Sequence, residues 1–204
     1  RQGPFNPKKL PVVMTNLRTE IMLPTYPMEH EDDRLGRIAL CTLGSINWGS
    51  FKHPSEMRDT CHSVVRFLCN LLGYQDFLTI QSSLSNSDIR PLGIGVTNLA
   101  FWHAQRGSQY GDQDALNEIA VWMEHQAYNL IEASVQLAEE RGACDMSHET
   151  CYGQGIFPWE KRAKGVNELI DFKTTLEWEP LRTRMIKSGV HCGCLIAIAP
   201  VESS

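Results

Sequence analysis

Two short runs that are apolar on both faces constrain this chain more than any other feature. PLGIGV (91–96) and CLIAIA (194–199) show no polar alternation, so a strand built from either must be covered on both sides. Between them lies a long helical period. From Asp114 to Arg141, residues Leu116, Ile119, Ala120, Met123, Ala127, Leu130, Ile131, Leu137 and Ala138 mark one face, and Gly142 stops it. Ser134 falls on the same face, where a small hydroxyl fits. Buried strands separated by helices predict parallel βα units. The expected fold class is α/β, and a barrel and an open sheet both satisfy the pattern.

The remaining elements are shorter. Residues 1–13 carry three prolines and no period, an irregular lead-in. The segment 16–24 is short and mixed, and the charged stretch 29–36 reads as a turn. RIALCTLGSINW (37–48) begins like a strand. Ser55, Glu56 and Asp59 open a helix that Val64, Val65, Leu68, Leu71 and Leu72 carry to Gly73. Residues 82–88 read as a polar loop, and 97–106 as a helix closed by Gly107. Weaker helices are expected near 159–163 and 179–187. No repeat or internal boundary divides residues 1–204.

Composition removes several classes of function. Nineteen Lys and Arg against 24 Asp and Glu leave a net charge of −5, which argues against a nucleic-acid surface. No window approaches the ~18 consecutive apolar residues of a membrane span. RQGPFNPKKL lacks the apolar core of a secretory signal, so the seven cysteines read as reduced thiols of a cytoplasmic protein. With no initiator Met, and an end directly after an apolar run, the chain is expected to be an excerpt of a longer protein.

Chemistry-bearing residues fall in a few places. If 16–20 is extended, Asn16, Arg18 and Glu20 share one face, where they could order a polar substrate or simply meet solvent. Cys41, inside an apolar run, is by default a buried inert thiol. Pro200, Val201, Glu202, Ser203 and Ser204 follow a buried strand, and such a turn offers N–H groups and hydroxyls to a phosphate, or merely caps a helix. Gly93 and Gly95 lack the third glycine of a dinucleotide fingerprint and fit close helix–strand packing better. His191, Cys192 and Cys194, with Cys144 and Cys151, lack the paired spacing of a zinc site, so no metal is expected. The Trp122–His125–Tyr128 stripe is helix surface or core.

Taken together and in order, NLRTEIMLPT, GRIALCTLGSINWG, RPLGIGVTNLAFW, LAEERGAC and APVESS resemble the large, catalytic subunit of class I ribonucleotide reductase. The resemblance spans residues 13–204. It implies part, largely the second half, of a ten-stranded α/β barrel that reduces ribonucleoside diphosphates for DNA synthesis. Asn16 and Glu20 match the family's Asn-Leu-Cys-x-Glu loop: Glu20 as general base for the ribose 3′-hydroxyl, Asn16 as hydrogen-bond partner of the sugar. Cys41 matches one member of the reducing cysteine pair, its partner lying upstream. Residues 200–204 match the diphosphate loop, with Val201 replacing a hydroxyl residue.

Arg18 departs from the pattern, standing where the family has its thiyl cysteine. A guanidinium has no weak S–H bond and is always charged, so this chain is expected to be inactive. No cofactor is expected within it. A metal-containing small subunit would supply the radical and a thioredoxin- or glutaredoxin-type dithiol the electrons, in a homodimer of large subunits. The alternatives are a catalytically dead relative that binds nucleotide or subunit, and a small zinc module.

Overall fold

The computed structural model describes residues 5–16, 19–161, 163–171, 173–199 and 201. Its organising unit is a parallel pair. β1 (Thr42–Asn47) and β2 (Leu92–Thr97) run side by side, in register from Thr42 opposite Leu92 to Asn47 opposite Thr97. The crossover between them is α1 (Arg58–Tyr74) followed by α2 (Ile80–Ile89). Then come α3 (Leu99–Arg106), α4 (Gln113–Arg141), a single turn α5 (Val166–Leu169) and α6 (Trp178–Ser188). Short 3-10 turns sit at Pro54–Met57 and Pro158–Lys161. The parallel βα organisation expected from the two-sided apolar runs is present.

α1 buries Cys61, Val65, Leu68, Cys69 and Leu72, one face at helical spacing, and packs against α4. The outer seam of the two helices carries Arg58 and His62 on Glu132 (3.1 and 3.0 Å) and Arg66 on Glu140 (2.8 Å). Behind β1, Trp48, Trp102 and Trp122 meet edge to face or tilted, with centroids 5.3–6.0 Å apart. Arg106 lies over the Trp102 ring at 4.2 Å while its Nε donates to Glu118 at 2.6 Å.

α4 does more than fill the core. Its buried polar side chains satisfy backbone and indole groups of the segments packed against it. Gln126 accepts from Trp48 Nε1 (2.7 Å) and donates to Gly95 O (3.1 Å). Ser134 Oγ donates to Cys192 O (3.1 Å) and accepts from Cys192 N (2.9 Å). Glu124 accepts from Thr175 N, Leu176 N and Trp178 Nε1 at 2.8–3.1 Å. Ser134 is therefore a working bond rather than a tolerated hydroxyl.

Several expectations need correction. Residues 82–88 are not a loop but lie inside α2, which Thr79 caps by accepting from Ser82 N at 3.2 Å. Its buried face is mostly polar, with Gln81 Nε2 donating to Glu31 O and Asp33 O at 2.7 and 2.8 Å. The run 194–199 is not a continuous strand. It touches β2 through one parallel bridge, Ile94 to Ile196, plus Leu92 N to Cys194 O and Ile94 N to Leu195 O, both 2.9 Å. Just upstream, Gly193 N turns to Ile89 O (2.7 Å) and Cys192 N to Ser134, which diverts the ladder. Ile198 is 85% exposed, so this run is not covered on both faces.

Gly93 and Gly95 do provide close packing, but against neighbouring extended chain rather than a helix. A Cβ on Gly93 would stand 2.9 Å from Cys41 Sγ and 2.7 Å from a Leu43 methyl. One on Gly95 would meet Ala199 N at 2.8 Å and Ala197 O at 2.9 Å.

Candidate functional site

The sequence places Asn16, Glu20 and Cys41 on two separate segments, and the fold brings those segments together. Asn16, Thr19 and Glu20 do not follow one extended strand. Thr19 N donates to Asn16 O at 3.1 Å, and Thr19 has φ of 60°, so the chain turns back on itself. Asn16 Oδ1 then accepts from Ile21 N at 3.3 Å, tying the turn to the buried Ile21. The condition under which Asn16, Arg18 and Glu20 would share one face, an extended segment, is not met at Thr19. Arg18 lies outside the described residues.

Asn16 and Cys41 line one cleft of about 320 Å³, with Thr15, Ile21, Leu23 and Leu43 among its walls. Thr25 also lines it, and its Oγ1 is buried with no hydrogen-bond partner among the described residues. Glu20 is half-buried beside this cleft, and its Oε2 is likewise without a partner among the described residues. An ionisable oxygen removed from water and given no donor is costly unless a ligand supplies one.

Cys41 stands immediately before β1, half-buried, with Gly93 leaving room for its sulfur. Burial pushes its thiol up to about 12, and the charge of Glu20 adds to that. The two groups thus feel each other across the cleft, and the free Cys41 thiol rests protonated. Cys194 belongs to a second, small core with Phe5, Leu10, Ile21 and Leu23, against which Cys41 packs; burial raises its thiol to about 12, with Cys41 contributing.

The diphosphate-loop expectation falls mostly on undescribed residues: Pro200, Glu202, Ser203 and Ser204 lie outside the described set. Val201, half-buried, lies beyond the Ile94–Ile196 bridge at the carboxyl end of its segment, whereas Cys41 is at the amino end of β1. Val201 does not line the cleft. Among the described residues, no three His, Cys, Asp or Glu side chains converge as a metal-binding group. Among the same residues, no helix is long and apolar enough to cross a membrane.

The sequence reading missed Thr15 and Thr25 as cleft residues. Both hydroxyls flank the Asn16–Glu20 turn closely enough in sequence to have been suspected. It also missed how Gly93 shapes the space around Cys41, since the Leu43–Gly93 register is needed to see it.

Taken as chemistry, this is an α/β fold whose cleft joins a thiol and a carboxamide, with a carboxylate beside it. The chain belongs to the ribonucleotide reductase barrel-domain family, whose model matches residues 1–204. It is 38% identical over 202 residues to the ribonucleoside-diphosphate reductase subunit alpha of Haemophilus influenzae, covering 99% of this chain and 27% of that protein. Against subunit alpha of Buchnera aphidicola subsp. Baizongia pistaciae it is 38% identical over 200 residues, covering 98% and 26%. Against reductase 1 subunit alpha of Escherichia coli it is 37% identical over 202 residues, covering 99% and 26%. The chain thus spans about a quarter of the length of the curated relatives it matches.

Proposed function

We propose that this chain forms the substrate-facing part of a class I ribonucleoside-diphosphate reductase large subunit, and that with Arg18 in place it holds the ribonucleotide without reducing it. The observation that carries this reading is the convergence of Asn16 and Cys41 on one cleft, beside a Glu20 carboxylate oxygen that has no hydrogen-bond partner among the described residues. That oxygen is suited to accept the proton of the ribose 3′-hydroxyl, and the Asn16 carboxamide to hydrogen-bond the sugar. Cys41 is positioned as one thiol of the reducing pair. With its partner it would deliver two electrons as the 2′-hydroxyl departs as water, leaving a disulfide that an external dithiol reduces.

Arg18 blocks the first step of that sequence. Removal of the 3′ hydrogen needs a sulfur radical, and a guanidinium offers no S–H bond from which to generate one. Residues 200–204 would hold the diphosphate, with Val201 giving one hydroxyl fewer than the family's loop. The working assembly would be a cytoplasmic homodimer of large subunits with a radical-generating small subunit.

The test uses the protein made from its complete reading frame. Calorimetric titration with ribonucleoside diphosphates should show binding, and turnover with small subunit and dithiol should be absent. Arg18→Cys should restore deoxyribonucleotide formation. Absence of nucleotide binding, or turnover with Arg18 present, would overturn the reading. A relative that binds only the small subunit would show the first of these outcomes.

A further inference from the structure

Away from the Cys41 cleft, two other thiols meet in the main core. Cys69, on α1, and Cys192, just before the 194–199 segment, are both fully buried, and the Cys192 S–H donates to Cys69 Sγ at 3.6 Å. The Arg90 guanidinium joins them. Its Nη2 donates to Cys69 O at 2.9 Å and to Cys69 Sγ at 3.3 Å, while its Nε is buried without a partner among the described residues. Arg90 reaches this position from the end of α2 with a left-handed backbone, φ 42° and ψ 66°, which costs a non-glycine residue about 1 kcal/mol. The neighbouring carboxylate does not serve it, because Asp88 pairs with Arg37 Nε at 2.6 Å. Arg90 is only half-buried, but its Nε is cut off from water, and the Cys69 sulfur that its Nη2 touches is the atom there able to carry a countercharge.

We propose that Cys69 and Cys192 are a redox dithiol, with Arg90 holding the Cys69 sulfur as the attacking thiolate, and that peroxide closes the pair to a disulfide. The Cys69 thiolate attacks one peroxide oxygen. An S–O bond forms, the O–O bond breaks, and hydroxide leaves, so sulfur loses two electrons and peroxide gains them. Cys192 sulfur then attacks Cys69 sulfur. The S–S bond forms, the S–O bond breaks, and the Cys192 proton leaves with the hydroxyl as water.

The environment favours these roles. The hydrogen bond from Cys192, with the neighbouring His191 ring and the Arg90 donor after it, holds the Cys69 thiol well below its usual range, despite burial. Cys192 is correspondingly held up, first by that same bond and then by burial. His191 is fixed in place by its Nδ1 hydrogen bond to Gly142 O at 2.6 Å. Cys144 also faces Cys192, and its thiol is raised to about 12 by burial, which leaves it the poorer nucleophile.

The test maps disulfides in the protein made from its complete reading frame. Reduced protein is treated with equimolar hydrogen peroxide, unfolded, alkylated, and digested without reductant for mass spectrometry. The expected product joins the peptide of Cys69 to Cys192, two hydrogens lighter than the separate peptides. In Cys192→Ser, dimedone should trap a sulfenic acid on Cys69. Arg90→Gln should slow disulfide formation about tenfold at neutral pH and make its rate climb with pH as an ordinary thiol's does. Recovery of both cysteines alkylated at oxidant doses that oxidise the other thiols would overturn the proposal, as would Cys144 replacing Cys69 in the cross-link. An Arg90→Gln rate and pH profile matching the parent's would overturn the assignment of Arg90 as the group that holds the thiolate. None of these readouts requires nucleotide binding.

Discussion

Replacing Gly95 by alanine should loosen the sheet by a calculable amount. The new Cβ would lie 2.8 Å from Ala199 N, 2.9 Å from Ala197 O and 3.0 Å from Ala199 Cβ. Two of these three are backbone atoms, which cannot swing aside as a side-chain end can. β2 and the 197–199 segment must therefore separate by about half an ångström to reach ordinary contact, an overpacking cost of about 1–3 kcal/mol. The same shift strains the Gln126 bond to Gly95 O, worth about 1 kcal/mol in a buried site. Against this stands about 0.4–1 kcal/mol from the lower entropy of an unfolded chain with alanine. The net expectation is a loss of about 1–3 kcal/mol. Gly73, near the end of α1 with nothing within 4 Å of its would-be Cβ, supplies the control. There alanine should stabilise by about 0.5–1 kcal/mol. Urea unfolding of parent and both variants reads the difference directly. A Gly95→Ala protein as stable as the parent would refute the claim that backbone contact fixes this position.

Two further outcomes follow from the charged groups. The Glu124 carboxylate would be raised by burial, but the donors Thr175 Oγ1, Trp178 Nε1 and the amides of Thr175 and Leu176 outweigh that and hold it below its usual value. A depressed carboxylate stabilises the fold above its unfolded pKa of about 4.3, and this contribution fades as pH falls through the lower folded value. Glu124→Gln should abolish that part of the acid limb and cost about 1–3 kcal/mol at pH 7, because an amide cannot accept all four donors; pH-dependent denaturation midpoints check both. At Cys41, Glu20→Gln removes the negative charge that helps raise the thiol. Alkylation of Cys41 should therefore speed up at fixed pH, and the midpoint of its pH–rate curve should move down; an unmoved midpoint would show that the two groups do not interact.

How much of this could be read from the sequence depends on what each element uses to signal itself. β2 and α4 were legible because their apolar spacing is regular and Gly142 marks the stop. α2 was not, because its buried face is Gln81, Ser82 and Ser85, held by hydrogen bonds to the 31–33 backbone that hydrophobic periodicity cannot register. The family motifs single out Asn16, Glu20 and Cys41, but their arrangement was not legible: the left-handed Thr19 turns a segment that reads only as short and mixed. The Cys69–Cys192 contact joins positions 123 residues apart and leaves no local pattern at all.

The polar side chains of α4 have one more consequence, for how this sequence can drift. Gln126 binds the carbonyl of Gly95, Ser134 binds both backbone groups of Cys192, and Glu124 binds the amide of Leu176. In these bonds each helix side chain recognises main chain, whereas only the Trp48, Trp178 and Thr175 side-chain donors to Gln126 and Glu124 tie the helix to particular residue types. In the main-chain bonds the dependence is thus one-sided. For these bonds, the identities at 176 and 192 are free to change, while 124, 126 and 134 are each confined to groups of the right length and polarity. The specification of two loops is thereby stored in the helix that faces them, and a one-residue insertion between 124 and 134 would rotate part of that specification by about 100° and misplace it.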